Sequence, residues 1–262
     1  MSTLGCAPNI PATWVLLRGL TRESGHWGDF VERWQAAWPQ ARVITLDAPG
    51  AGPWYAQRSP TRVEDWVAHW RAQLAQQQVS GPLRLLALSM GGMAALSWAH
   101  TDPRAIEAMV LINTSDRSVN PFYWRLQPSA YARLLRLFLP GQTPAQRERQ
   151  IWQLTTRLRG PEVLAQWTAL AQAHPVSKAN AMRQLWAAAR YRTRAAVPPV
   201  PTLLLASTHD ALVDVRCSRA LAQHWGWPLR EHGQAGHDLP LDDPDWVLRQ
   251  VQQWISEQKI GV

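Results

Sequence analysis

Cysteine is almost absent. Cys6 and Cys217 cannot build a disulfide framework, and with no pattern around them they fit a reducing compartment where thiols stay free. No run of ~18 apolar residues occurs, so no segment reads as a transmembrane helix. The opening M-S-T-L-G-C-A-P-N-I-P lacks a basic start and a long apolar stretch, so no signal peptide is expected and the expected address is cytoplasmic. There is no collagen-like repeat, no low-complexity tract and no zinc-finger Cys/His spacing. Helix-turn-helix and RNP patterns are missing too, which argues against a nucleic-acid partner. Phenylalanine is scarce, with 3 residues against 16 tryptophans, so tryptophan must supply most of the aromatic packing.

The chain has 262 residues, 46% of them apolar and 18% charged, enough to bury a large core. The net charge of +8 is unevenly placed. Between Arg117 and Ala196 there are 13 basic residues and only two acids, Glu148 and Glu162. That stretch carries +11 and the remainder sums to −3. A charge run is usually a solvated helix face, but a basic surface also attracts acidic partners.

Short apolar runs alternate with helical patterns. Thr13–Leu17, Val43–Leu46, Leu83–Leu88, Met109–Ile112 and Thr202–Ala206, with a weaker run over Pro228–Glu231, suit parallel strands buried on both faces. Helix starts are marked between them. Thr61 and Glu64 read as a capping box before Val67–Leu74, Asp214 can cap a helix through Leu221, and Asp243-Pro244 opens the last helix. This alternation predicts a parallel α/β sheet. The basic stretch breaks the rhythm with four helical patterns and no strand. In the first, Tyr131, Leu134, Leu135, Phe138 and Leu139 form one apolar face, expected to roof a site, with Arg133 and Arg136 off it. Thr143-Pro144, Gly160-Pro161 and Ser177 open the others, and Val197-Pro198-Pro199 stiffens the return. The expected organisation is a core of 1–116 and 197–262 with a helical cap, 117–196, inserted in it.

The strongest chemical signal is L-R-L-L-A-L-S-M-G-G-M-A-A-L-S-W-A, in which an apolar strand runs into Ser89 and then a helix. That is the context of a nucleophile elbow, a sharp turn that projects the serine hydroxyl above a sheet. Ala87 stands where the motif usually has its first glycine, and Gly91 fills the second place. The plain alternative is an ordinary buried serine in a strand–turn–helix. A serine hydroxyl needs a base and an orienting acid to act as nucleophile. Downstream, Asp210 follows one strand and His237 follows the next, so the order is Ser89, Asp210, His237.

These motifs resemble the α/β-hydrolase superfamily in its capped, single-domain branch. Leu17-Arg18-Gly19-Leu20 resembles the oxyanion loop, Leu46-Asp47-Ala48-Pro49-Gly50-Ala51-Gly52 the D-x-P-G-x-G loop, and H-D-A-L-V-D and G-H-D-L-P the acid and histidine loops. The resemblance implies a mostly parallel sheet of about six strands with helices on both faces. It implies an acyl-enzyme mechanism with Ser89, His237 and Asp210 as triad, backbone N–H groups of Leu20 and Met90 as oxyanion hole, and no metal or organic cofactor. Arg18 stands where the family usually has histidine, and a contact with substrate is one expectation for it. Trp27, Trp124, Leu134 and Phe138 are the other candidate pocket residues.

Rivals exist for several places. Asp116 follows a strand and competes for the acid, Asp214 is better used as a helix cap, and His209 shapes its loop. His232 is expected to be structural and Asp47 a turn-former. Asp238 is left out because adjacent residues point apart. The expected activity is hydrolysis of small carboxylic esters. Thioesters, amides and C–C bonds are substrates the same triad serves, and a non-catalytic binding protein is the alternative of another class. The basic cap leaves room for an acidic acyl carrier or an anionic ester.

Overall fold

The computed structural model describes residues 12–79, 81–193 and 200–260, so Cys6 and Val197-Pro198-Pro199 lie outside the described residues. Six strands form one sheet: β1 (Thr13–Leu17), β2 (Arg42–Leu46), β3 (Leu83–Leu88), β4 (Ile106–Ile112), β5 (Thr202–Ser207) and β6 (Leu229–His232). Every pairing is parallel, in the order β2-β1-β3-β4-β5-β6. The expected short apolar runs are all strands, each moved by a few residues at most.

The period-2 alternation of strand side chains separates two apolar layers. Val15, Leu17, Leu85, Ala87, Met109, Leu111 and Leu204 face one side. That side is covered by α2 (Glu64–Gln76), α3 (Met90–Thr101) and α9 (Arg216–Trp225), through Trp66, Trp70, Leu96, Trp98 and Leu221. Trp14, Leu16, Leu86, Leu88, Val110, Ile112 and Leu205 face the other. There α1 (Phe30–Ala37) and α11 (Pro244–Gln258) bring Phe30, Trp34, Val247, Val251 and Trp254. Trp14 meets Trp34 edge to face, with ring centroids 4.9 Å apart, so tryptophan does fill the aromatic role that phenylalanine leaves.

Among the described residues between β4 and β5 there are helices and no strand; the α-helices are α4 (Phe122–Arg125), α5 (Tyr131–Arg136), α6 (Pro144–Thr155), α7 (Leu164–Ala173) and α8 (Lys178–Arg190). The marked starts are where the caps are. The Thr143 hydroxyl accepts from Gln146 N, in a capping box with the Gln146 side chain, and Ser177 accepts from Asn180 N. The short α10 (Leu239–Asp242) precedes α11, whose N-terminus Asp243 caps by accepting from Trp246 N. Asp214 accepts from Arg216 N at the start of α9.

Two helix expectations are corrected. Thr61 and Glu64 make no capping box: α2 begins at Glu64 itself, after Val63, so Glu64 stands at the first helical position rather than the third. The apolar helix over 131–139 ends at Arg136, and its face is not a closed roof. Leu134 and Phe138 are half-buried, whereas Leu135 and Leu139 are exposed. The five-residue apolar pattern is split by the turn that leads to Pro140-Gly141.

Parallel pairing brings the carboxyl ends of β1, β3, β4, β5 and β6 to one edge, where loops meet outside the sheet. Leu17 is level with Ala87, and the chains continue in parallel to place Gly19 beside Ser89. Gly91 makes this approach feasible: a Cβ there would lie 2.6 Å from Leu17 O and 2.7 Å from Arg18 O. Both obstacles are backbone, so neither can swing away. We predict that Gly91→Ala lowers stability by about 1–3 kcal/mol through overpacking. Equal denaturation midpoints for the variant and the parent protein would contradict it.

Candidate active site

Ser89 occupies the turn between β3 and α3 with φ +57° and ψ −120°, a conformation rare for any residue with a Cβ. Its N–H donates to Ile112 O at 2.8 Å and its carbonyl accepts from Thr114 Oγ1 at 2.8 Å, so both backbone polar groups of the strained residue are tied to β4 and its loop. Met90 starts α3, and the N–H of a first-turn residue has no acceptor within its own helix. Gly19 lies against Ser89; a Cβ on it would be 3.0 Å from Ser89 Cβ. Leu20 follows, half-buried.

Asp210 and His237 are brought together. His237 Nδ1 is 2.6 Å from Asp210 Oδ2, and both residues are buried. The other carboxylate oxygen, Oδ1, accepts from Leu212 N at 2.7 Å and Val213 N at 3.0 Å. Asp210 is therefore fixed by its own loop and offers one oxygen to the ring. Burial pulls the His237 pKa down, but the charge of Asp210 and its hydrogen bond outweigh this, helped by Asp238 and opposed by Arg18. The net direction is upward from 6.5.

The rival acid has another use. Asp116, fully buried, accepts from Ser118 N at 2.7 Å and Ser118 Oγ at 2.6 Å, and from Thr193 N at 2.9 Å and the Thr193 hydroxyl. Ser118 lies at the start of the helical insert and Thr193 at its end, so Asp116 clasps the two ends. His232 is structural as expected: Nδ1 accepts from Gln234 N and Ala235 N, and Nε2 is 3.2 Å from Asp243 Oδ2. His209 is bonded to its neighbour Thr208. Asp47 ties two loops, accepting from Ser24 N at 2.6 Å.

Two pocket expectations change, and a third does not. Arg18 does not reach for substrate; it is buried, and Nη1 and Nη2 donate to Asp238 Oδ1 and Oδ2 at 3.0 and 2.6 Å. Trp27 lies in the core, 1% exposed, stacked on Phe30 with the Arg18 guanidinium 4.7 Å above its ring. Both terminal nitrogens of Arg18 are thus spent on Asp238. Trp124 is half-buried instead, under Arg216 at 4.7 Å, and its carbonyl accepts from Asp214 N beside the acid loop.

Several residues of this region carried no signal in the sequence. Asn113 at φ +46° donates to His237 O at 2.8 Å and accepts from Ser207 N at 2.8 Å, joining β4, β5 and the histidine loop. Asp242 collects the N–H groups of Arg157, Leu158 and Arg159, from the insert, and of Gly236, from the histidine loop. Asp238 N donates to Thr155 O at 2.8 Å. No motif announces such partners; only the acid-rich H-D-L-P-L-D-D run hints that the loop after His237 is tied down. Among the described residues no group of three or more His, Cys, Asp or Glu is placed to hold a metal ion.

The arrangement offers a strained serine at a helix N-terminus and, in loops at the same edge of the sheet, a buried imidazole held by a carboxylate, which are parts that general-base activation of a hydroxyl requires. Asp210→Asn keeps the contacts of Oδ1 but loses the charge on the ring. We expect activity to fall by about 10⁴-fold, as for the equivalent change in a serine protease. A protonated imidazole cannot accept the serine proton, so kcat/KM of the parent protein is to rise through a midpoint above pH 6.5. Asp116→Asn is to lower the melting temperature and spare kcat, because it disturbs the clasp alone. The opposite pattern, activity lost in Asp116→Asn and kept in Asp210→Asn, would reverse the two roles.

Comparisons with known proteins agree with this fold. A family model described as serine aminopeptidase, S33, matches residues 8–241. A protein of Cronobacter turicensis named as a carbamate hydrolase, RutD, is 30% identical over 230 residues, 82% of this chain and 79% of that protein. Among solved structures, the enol-lactonase of Burkholderia xenovorans superposes with a TM-score of 0.76 at 21% identity, covering 94% of this chain and 92% of its own. A thermophilic esterase of Thermogutta terrifontis gives 0.73 at 18%, covering 96% and 91%. At these identities the two structural likenesses speak for the fold.

Proposed function

The chain belongs to the serine aminopeptidase S33 family of α/β-hydrolases and is a hydrolase; on that premise we propose that it cleaves carboxylic esters through a Ser89–His237–Asp210 triad. The observation that carries the reading is the 2.6 Å contact between His237 Nδ1 and Asp210 Oδ2, in a fold that sets Ser89 at the same edge of the sheet. With Nδ1–H donating to Asp210, the other ring nitrogen, Nε2, is left as the base.

Ser89 Oγ attacks the acyl carbon while His237 Nε2 takes its proton. The tetrahedral oxyanion is received by the N–H groups of Leu20 and Met90, and one such donor is worth ~3 kcal/mol in a measured protease. His237 then gives the proton to the leaving alkoxide. Water attacks the acyl-serine with His237 again as base, returning acid, alcohol and free Ser89. Backbone donors explain why large side chains, Leu20 and Met90, are tolerated there. For the acyl group we assign the half-buried apolar side chains Trp124, Leu134 and Phe138 of the insert.

A second reading is favoured by one observation, the carbamate hydrolase name of the relative at 30% identity. The same triad attacks a carbamate carbonyl, whose nitrogen lone pair makes it a weaker electrophile than an ester. The basic exterior of the insert adds an option for either substrate. Its two acids are engaged, Glu148 with Arg22 at 2.6 Å and Glu162 with Arg159 at 3.4 Å, so an anionic ester or an acidic carrier would meet mostly positive charge. Attraction of this kind fades with salt, and kcat/KM for an anionic against a neutral ester across ionic strength measures it.

Ser89→Ala removes one oxygen at a turn and should leave the fold intact. Hydrolysis of model esters should drop by on the order of 10⁶-fold, the loss seen when a triad nucleophile is removed. Labelling by a fluorophosphonate should vanish with it. A folded Ser89→Ala protein that turned over esters at the parent rate would end the triad reading. A panel of esters and carbamates with matched acyl groups separates the two substrate classes.

A further inference from the structure

Arg18 and Asp238 form an ion pair that the triad chemistry does not call for. Arg18 precedes Gly19 and Leu20 in the loop after β1, and Asp238 follows His237 in the loop after β6. The guanidinium grips both carboxylate oxygens, at 3.0 and 2.6 Å, with each side chain 3% exposed. Trp27 supports the guanidinium from below at 4.7 Å. Removing two charges from water costs much of what their attraction returns, and apolar residues of similar size often serve stability as well. A planar two-bond fork does something an apolar contact cannot: it fixes one loop relative to another in distance and in angle.

His237 and Asp238 point apart, as adjacent residues do. The histidine side chain goes to Asp210 and the aspartate to Arg18, so the histidine loop is held from two sides. We propose that Arg18 and Asp238 are positioning residues of the reaction: their ion pair locks the loop bearing the Leu20 N–H to the loop bearing His237, and it presents the imidazole with a compensated pair of charges rather than a lone one. This rests on the triad reading of the site.

The electrostatics agree. From the acid loop His237 faces Asp210, from its own loop Asp238, and from the β1 loop Arg18. Asp238 favours the imidazolium and Arg18 opposes it, so the two act on the ring in opposite directions. The insert contributes Arg157, whose Nε donates to Gln234 O, and α10 contributes Asp242, which accepts from Gly236 N; both stay in place in the variants below.

The test is kcat and the pH profile of kcat/KM, read for Arg18→Met, Asp238→Asn, the double variant and Arg18→Lys. Arg18→Met leaves the Asp238 carboxylate alone beside His237, so the acid limb should move to higher pH. Asp238→Asn leaves the guanidinium alone, so the limb should move to lower pH. The double variant buries no unpaired charge, so it should fold, with its limb back near the parent position. Its kcat should be lower by on the order of 10²-fold, because the two loops are no longer locked together. Arg18→Lys keeps the charge and loses the fork, so it should lose kcat without moving the limb. Opposite shifts in the single variants, cancelled in the double, would be unexplained by a merely structural pair.

Should either single variant fail to fold, the double variant and Arg18→Lys decide. Parent kcat in both would overturn the proposal, as would folded single variants with an unmoved limb. Fluorophosphonate labelling of Ser89 is run on every variant. Labelling kept with unmoved kcat and pH profile defeats this proposal and leaves the triad standing, whereas a parent protein that never labels defeats the triad itself.

Discussion

The backbone at Ser89 is the constraint from which the rest of the site follows. A residue with a Cβ at φ +57° costs on the order of 1–3 kcal/mol and persists only where its surroundings over-determine it. Here they do. Ile112 O and Thr114 Oγ1 hold the two peptide groups of Ser89, and the β1 loop closes over the turn because Gly19 and Gly91 present no Cβ to block it. The turn raises the serine out of the sheet and starts α3 behind it, so the first free N–H of that helix stands next to the hydroxyl. Strand, helix and the loop after β1 thus meet at one turn.

Two kinds of force hold the two parts of the molecule. The sheet and its helices are joined by apolar layers crowded with tryptophan, in which contact is non-directional. The helical insert is joined to the core by apolar contacts, such as Val163 and Trp167 with Leu241, and also by directional polar ones. Arg22 pairs with Glu148 and lies 4.1 Å over Trp167, Glu23 is 2.7 Å from His174, and Asn180 and Gln184 bond to Ser59 and Thr21. Burial pushes the Glu23 carboxyl up and His174 pulls it back. Burial, with Arg22 and Arg18 nearby, drives His26 well down, so that ring stays neutral among the cations. Directional contacts of this sort admit one docking geometry, which a greasy surface alone would not select.

Strands were easy to read in the sequence because buried parallel strands are continuous apolar runs: Leu83–Leu88 and Thr13–Leu17 appear with their bounds unchanged. Helix caps at Thr143, Ser177 and Asp243 were legible because one polar side chain meets one local N–H. Asp210 and His237 were legible from their place after successive strands. The misreadings have several causes. Arg18 looked like a free cation because Asp238 is 220 positions away, and Trp27 looked available because its place in the core is set by Phe30 and Arg18. Asn113 and Asp242 gave no sign because what they hold is the backbone of other loops. Leu135 and Leu139 belonged to a helical pattern that the chain abandons after Arg136.

The clasp at Asp116 has an evolutionary consequence. One carboxylate bonds Ser118 as the chain leaves the core and Thr193 as it comes back, so the five intervening helices begin and end at nearly the same point. A segment whose ends coincide hangs on the scaffold as a closed loop. Doubling the length of such a loop costs only about 0.6 kcal/mol in closure entropy. The core therefore meets the insert at two neighbouring anchor points and, between them, at the polar partners of Arg22, Glu23 and Ser59. An insert exchanged in evolution would have to keep residues that meet Asp116 at both ends and that match Arg22, Glu23 and Ser59 between them.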